Sequence, residues 1–173
     1  ADNLREMGLI QGSPIYSLSV QYSRTSTKER KMAIYMGNTE KATFESNSEW
    51  FALGVLTNVF AENNFTFEAR DANDSCEENC YRWETFSFDE PFFWDGSSNI
   101  VIAFVDNTGS SSDYSSSNFN QHSGTTNNTL YWSGSSLPST SSYGTRNNQL
   151  CNIRLCSGCM YPTHITATSL SRS

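Results

Sequence analysis

Four aromatic residues, Trp50, Tyr114, Trp132 and Tyr143, lie in or beside stretches rich in serine, asparagine and glycine. A flat ring held in a polar loop offers its face to the C–H surface of a sugar, while nearby amides and carboxylates bond the hydroxyls. The physics parallels base stacking on aromatics, where each contact contributes about 1–3 kcal/mol. The same residue types also serve as packing. Trp94 and Trp132 can equally belong to a core, and Trp83 and Trp94 are read here as packing.

A second chemistry is cation binding. Calcium takes about six to eight oxygen ligands from carboxylates, amides and backbone carbonyls. Asp95, Asn99, Asp106, Asn107 and Asp113 bracket one apolar run and are expected to converge at one rim. The competing reading is that Asp95 and Asn99 only bond the backbone of a turn. No D-x-[DN]-x-[DN]-G loop is present.

Cysteine chemistry is third. Cys76 and Cys80 form one group; Cys151, Cys156 and Cys159 form another. Disulfides in an oxidising compartment are the expectation, with at least one thiol left unpaired within the chain. The alternative is a zinc site of four thiolates, but only Cys156–Cys159 has the C-x-x-C spacing such sites usually pair. Catalytic signatures are missing: the chain has no G-x-S-x-G, no H-E-x-x-H and no glycine-rich phosphate loop. His122 and His164 stand isolated in the sequence. Asp89 and Glu90 are adjacent, so on a strand they point to opposite faces and cannot work as a glycosidase pair. A non-enzymatic role is expected.

The elements that must position these residues read as strands. The stretch from Trp83 to Gly109 is the strongest signal. Phe86 and Phe88 alternate with Thr85, Ser87 and Asp89, Pro91 ends the strand, and Asp95–Asn99 is turn chemistry. Ile100–Val105 is then an unbroken β-branched and apolar run, which predicts a central strand buried on both faces, paired as a hairpin with its predecessor. Ile15–Tyr22 alternates with Tyr16, Leu18, Val20 and Tyr22 on one face. Further strands are expected at Lys31–Met36, Leu53–Phe60, Phe65–Glu68, Asn128–Trp132 and Asn148–Leu155, with serine-rich loops at Ser110–Ser117 and Gly134–Gly144. Many short strands, long polar loops and almost no helix predict an all-β, antiparallel sandwich of jelly-roll type.

Composition bounds the partners. In 173 residues the formal net charge is −7, which argues against nucleic acid. Between Arg82 and Arg146 there is no Lys or Arg, while six acids fall in that gap. Charged residues are 17% of the chain, below the roughly 25% of an average domain, and aromatics are 13%. Uncharged polar surface with abundant aromatics suits an extracellular β-sandwich. No stretch is apolar enough to insert in a membrane, and no apolar leader opens the sequence, as in a mature or excised segment. Asn64-Phe65-Thr66, Asn73-Asp74-Ser75 and Asn127-Asn128-Thr129 fit the N-glycosylation sequon.

Several segments match a known pattern. Met32–Thr39 (MAIYMGNT) resembles the IYMKNT strand of cleaved-adhesin, or gingipain adhesin-type, jelly-roll domains. Trp83–Phe92 resembles that family's W-x-T-I-x-L-x-x-P-F. Trp94–Ile102 resembles Y-D-G-T-S-N-L-V-I, with Asp106-Asn107-Thr108-Gly109 after it. Asn128–Ser133 is similar to a weaker N-x-x-L-Y-x-Y-S. The cysteines stand outside the pattern. The resemblance implies a non-catalytic, secreted binding module of bacterial surface proteins, in some cases with structural Ca²⁺. Residues 1–160 are expected to form the adhesin-like domain, and 161–173 a linker or the start of a fibronectin-type module. The expected partner is a glycan or surface protein. The alternative is a structural subunit of an extracellular surface layer or filament, self-associating by packing or strand addition.

Overall fold

The computed structural model describes residues 1–24, 27–69, 81–109, 117–124, 126–134, 136–139 and 141–158. Tyr114, Asp113, Cys76, Cys80, Cys159 and the segment 161–173 lie outside them. The chain is all-β, and every strand pairing among the described residues is antiparallel. One sheet centres on β1 (Pro14–Arg24), with β4 (Arg82–Phe93) on one side. On the other side β11 (Ile153–Cys156) and then β6 (Ser117–Phe119) share the edge of β1. The second sheet has β2 (Lys28–Thr39) between β3 (Thr57–Phe67) and β5 (Asn99–Asp106). Two small ribbons complete the described strands: β7 (Gln121–Ser123) with β10 (Gln149–Cys151), and β8 (Thr129–Tyr131) with β9 (Thr145–Asn147). A short helix, α1 (Asp2–Glu6), precedes β1.

Strand pattern explains the sandwich. Leu18, Val20 and Tyr22 of β1 alternate inward, as do Met32, Ile34 and Met36 of β2, and all six are buried. Between the sheets, the ring of Phe86 meets Phe65 in a stack at 4.7 Å and Phe60 edge-on at 5.1 Å. Phe67 and Phe104 lie edge-on to it as well. Offset and edge-on geometries are those the ring quadrupole favours. Phe65 and Phe67 thus share a face, as their spacing implies.

Four features of the Trp83–Gly109 stretch depart from the expectation. First, it is not a hairpin. β4 pairs with β1 and β5 with β2, so residues 94–98 carry the chain from one sheet to the other. The crossing is held by side chains. Trp94 is buried and its indole N–H donates to the Ser98 carbonyl at 2.8 Å. The Asp95 carboxylate accepts from the Ser97 and Ser98 backbone N–H groups, both at 2.8 Å. Trp94 also exchanges backbone bonds with Ser13 and Gly12, which docks the corner onto the lead-in to β1. Second, β5 is not central. Among the described residues it pairs only with β2, and most of it is half-buried. The central strand of that sheet is β2, whose burial is the deepest.

Third, Pro91 does not end β4, which continues to Phe93. The β1–β4 register breaks between Ile15, paired with Phe92, and Ser17, paired with Ser87. Pro91 falls in the stretch without a β1 partner, where its missing N–H costs no ladder bond. The same irregularity turns Ile15 rather than Tyr16 into the core. Fourth, Trp83 is not core packing. It sits half-buried on the outer face, with the Arg154 guanidinium 3.7 Å above its ring. The row Arg154–Ser19–Thr85 explains this, since the small Ser19 lets the long Arg154 side chain lie across β1.

Candidate binding surface

The β8–β9 ribbon is stitched to the loop at 40–52. Arg146 of β9 is the main clamp. Its Nε donates to Asn47 Oδ1 at 2.7 Å, and its Nη1 donates to the carbonyls of Phe44 and Glu45 at 3.1 and 2.6 Å. The Gly144 N–H donates to the Asn47 carbonyl at 2.8 Å, and the Phe44 N–H to the Asn127 carbonyl at 2.7 Å. Within the loop, Lys41 pairs with Glu49, which also accepts from the Glu45 N–H. The pairing holds Lys41 above and Glu49 below its ordinary pKa, chiefly through their mutual hydrogen bond.

Three of the four aromatics singled out in the sequence come to this region. Trp50 is half-buried and its indole N–H donates to the Ser142 carbonyl at 2.8 Å. Its ring lies against Gly144, where a Cβ would approach it to 2.3 Å and the Tyr131 carbonyl to 2.6 Å. Only glycine fits there. Trp132 follows β8, folds back over Gly134 and donates its N–H to the Ser136 carbonyl at 2.9 Å. Tyr143 precedes Gly144 and is 77% exposed. A fourth ring, Tyr131, is 52% exposed and was missed in the sequence. Its alternation with Leu130 and Trp132 was the available signal, because it put Tyr131 on the opposite face of the strand.

Trp132, at 39% exposure, and Leu137 add to the exposed apolar surface of this ribbon end. Ser139, Ser141 and Ser142 lie in the adjoining loop and bond one another. The Ser142 Oγ accepts from the Ser139 N–H at 2.9 Å, and Ser139 and Ser141 hydroxyls lie 3.0 Å apart. The arrangement is therefore a set of exposed rings beside a serine-rich loop, with the ribbon fastened to the loop at 40–52 through Arg146 and Trp50.

The oxygen donors proposed for calcium are not brought to one rim. Asp95 and Asn99 lie at the start of β5, and Asp106 and Asn107 at its end. Eight residues of strand at roughly 3.3 Å each separate the two groups. The side chains of Asp95, Asn99 and Asp106 already bond within the fold. Asp95 caps its turn, and its pKa is lowered to about 2 by the Ser98 hydroxyl first, then the Ser98 and Ser97 N–H groups. Asn99 Oδ1 accepts from the Ala1 ammonium at 2.5 Å, and its Nδ2 donates to the Lys41 carbonyl. Asp106 Oδ1 accepts from the Thr108 N–H at 2.9 Å, and the Asn107 N–H donates to the Lys31 carbonyl. Among the described residues no three His, Cys, Asp or Glu side chains cluster as a metal site.

Of the five cysteines, Cys76, Cys80 and Cys159 lie outside the described residues, and Cys151 and Cys156 are described and are free. They sit on different sheets, Cys151 opposite Gln121 in the β7–β10 ribbon and Cys156 opposite Ser17 on β1. Burial pushes the Cys151 thiol above its ordinary pKa. His122 is exposed, with Nδ1 2.8 Å from Asn152 Oδ1. No helix among the described residues is long and apolar enough to cross a membrane.

No family model matches the chain, and no similar curated protein or solved structure was found.

Proposed function

We propose that this chain is a secreted, jelly-roll binding module that recognises glycans through the aromatic end of its β8–β9 ribbon. The observation that carries the reading is that the exposed rings of Trp132 and Tyr143 flank the Tyr131–Thr145 end of the β8–β9 ribbon, with the exposed ring of Tyr131 on the other face of β8. Each ring can stack on a sugar face, and hydroxyls and amides around it can bond sugar hydroxyls. A low-charge surface suits a neutral oligosaccharide. The sequence resemblance to cleaved-adhesin domains supports an adhesin role at a bacterial surface. The crossings between sheets after β1, β3 and β4 are of the kind a jelly roll requires.

The test is a glycan array with the wild-type chain, followed by titration of any hit against Tyr143→Ala and Trp132→Ala. Loss of one stacked ring at about 1–3 kcal/mol corresponds to a roughly 5- to 150-fold weaker Kd. Unchanged affinity in both variants sinks the proposal. Self-assembly by strand addition is the second reading. It is favoured by β5, whose outer edge has no strand partner among the described residues. Light scattering decides it, since a monodisperse monomer at high concentration rules assembly out.

A further inference from the structure

A cavity of about 230 Å³ opens between the two sheets, on the side where β5 faces β6 and β10. Phe67, Phe86, Phe104 and Phe119 line it together with Met32. It is larger than the roughly 150 Å³ apolar cavity that stays dry and holds benzene. One end differs from the rest. Arg30 on β2 is only 4% exposed, and its Nη1 lies 3.9 Å from Asp106 Oδ2 on β5. Asp106 presents this oxygen because its other one is taken by the Thr108 N–H.

We infer that this cavity is a binding site for a neutral, single-ring hydroxyaromatic molecule, its ring among the phenylalanines and its hydroxyl between Asp106 and Arg30. Size selects one ring. The four phenylalanine side chains, from four different strands, supply faces and edges for an aromatic guest. The polar end selects the head group by charge. A carboxylate would meet Asp106, and an ammonium would meet Arg30, each a like charge in a poorly solvated place. A hydroxyl can donate to the Asp106 carboxylate and accept from the guanidinium at once. The 3.9 Å separation exceeds a direct hydrogen bond and is short enough for one oxygen to reach both. This site is distinct from the ribbon surface, and its test is independent of glycan binding.

The experiment is calorimetric titration of the 173-residue chain with p-cresol, toluene and benzoate. p-Cresol should bind saturably and about tenfold tighter than toluene, the effect of the hydroxyl's bonds. Benzoate should bind weaker than either. Asp106→Asn keeps the acceptor for the Thr108 N–H and should erase the preference for p-cresol over toluene. A measurement on the unmodified protein stands beside that variant. Cys151 lines the cavity and Cys156 does not, so saturating p-cresol should slow alkylation at Cys151 and leave Cys156 unchanged, read by peptide mass spectrometry. Absence of saturable binding, equal affinity for toluene and p-cresol, tighter binding of benzoate, or unaltered Cys151 alkylation overturns the inference.

Discussion

Two glycines with nearly the same backbone angle offer a sharp test of how the sandwich is closed. Gly96 has φ 86° and Gly8 has φ 88°. Alanine at either must adopt the left-handed region, which costs about 1–2 kcal/mol. They differ in what surrounds them. Nothing lies within 4 Å of a Cβ at Gly8, whereas a Cβ at Gly96 would come to 2.6 Å from Gln11 Cβ and 2.8 Å from Gln11 Cα. The Cα is backbone and cannot rotate away. The corner between β4 and β5 would have to lift from the lead-in to β1, losing the bonds that Trp94 makes with Gly12 and Ser13. An overpacking term of about 1–3 kcal/mol then adds to the backbone term. Gly8→Ala should therefore cost about 1–2 kcal/mol and Gly96→Ala about 2–5 kcal/mol. For a chain of this size the difference of about 1–3 kcal/mol is a gap of roughly 2–12 °C in melting temperature. Urea denaturation of both variants, fitted with a shared slope, measures it. Equal destabilisation would refute the docking of the corner against Gln11. A paired hairpin from Trp83 to Gly109 would leave Gly96 in an open turn and predict that equality.

Other outcomes follow from the same geometry. Phe86→Ala, at a residue 1% exposed and ringed by four phenylalanines, should cost about 3–5 kcal/mol; a loss near that of Phe93→Ala, an exposed neighbour, would contradict the core assignment. Arg146→Ala should release the loop at 40–52, with faster proteolysis there and a loss of about 1.5–3 kcal/mol, and a digestion pattern identical to wild type would count against the clamp. Asp95 titrates lower in the folded chain than its ordinary 3.8, so its stabilising contribution is complete above about pH 4 and disappears as pH falls toward about 2. The stability gap between wild type and Asp95→Asn should accordingly be open at pH 5 and close over that interval. A gap that stays constant would show that the turn does not use the carboxylate's charge.

Local pattern made much of this fold legible. The inward sets of β1 and β2 follow from strict alternation, and the shared face of Phe65 and Phe67 follows from spacing alone. Alternation also found the strand at Asn128–Trp132, and the serine-rich stretch at Gly134–Gly144 marked the loop beside it. The candidate surface was only partly readable. Trp50 stands 92 positions before Ser142, whose carbonyl it bonds, and no local signal says that its ring will lie on Gly144. Arg146 carried no motif, because a clamp made of backbone carbonyls leaves no trace in sequence on the partner side.

What the amino-acid sequence determined by itself is which residues extend and which face of each strand turns inward, since these depend on neighbours two residues apart. Only the tertiary structure decided which strands pair. Pro91 and the Asp95–Asn99 turn mark a change of direction equally well for a hairpin and for a crossing between sheets. The choice rested on Trp94, Gly96 and the lead-in to β1, more than eighty residues earlier in the chain than the corner it holds. The same long-range choice brought Trp50 beside Gly144, at the ribbon end that Trp132 and Tyr143 flank. Contacts of that range are set by packing and backbone accounting over the whole molecule, which no short window of sequence contains.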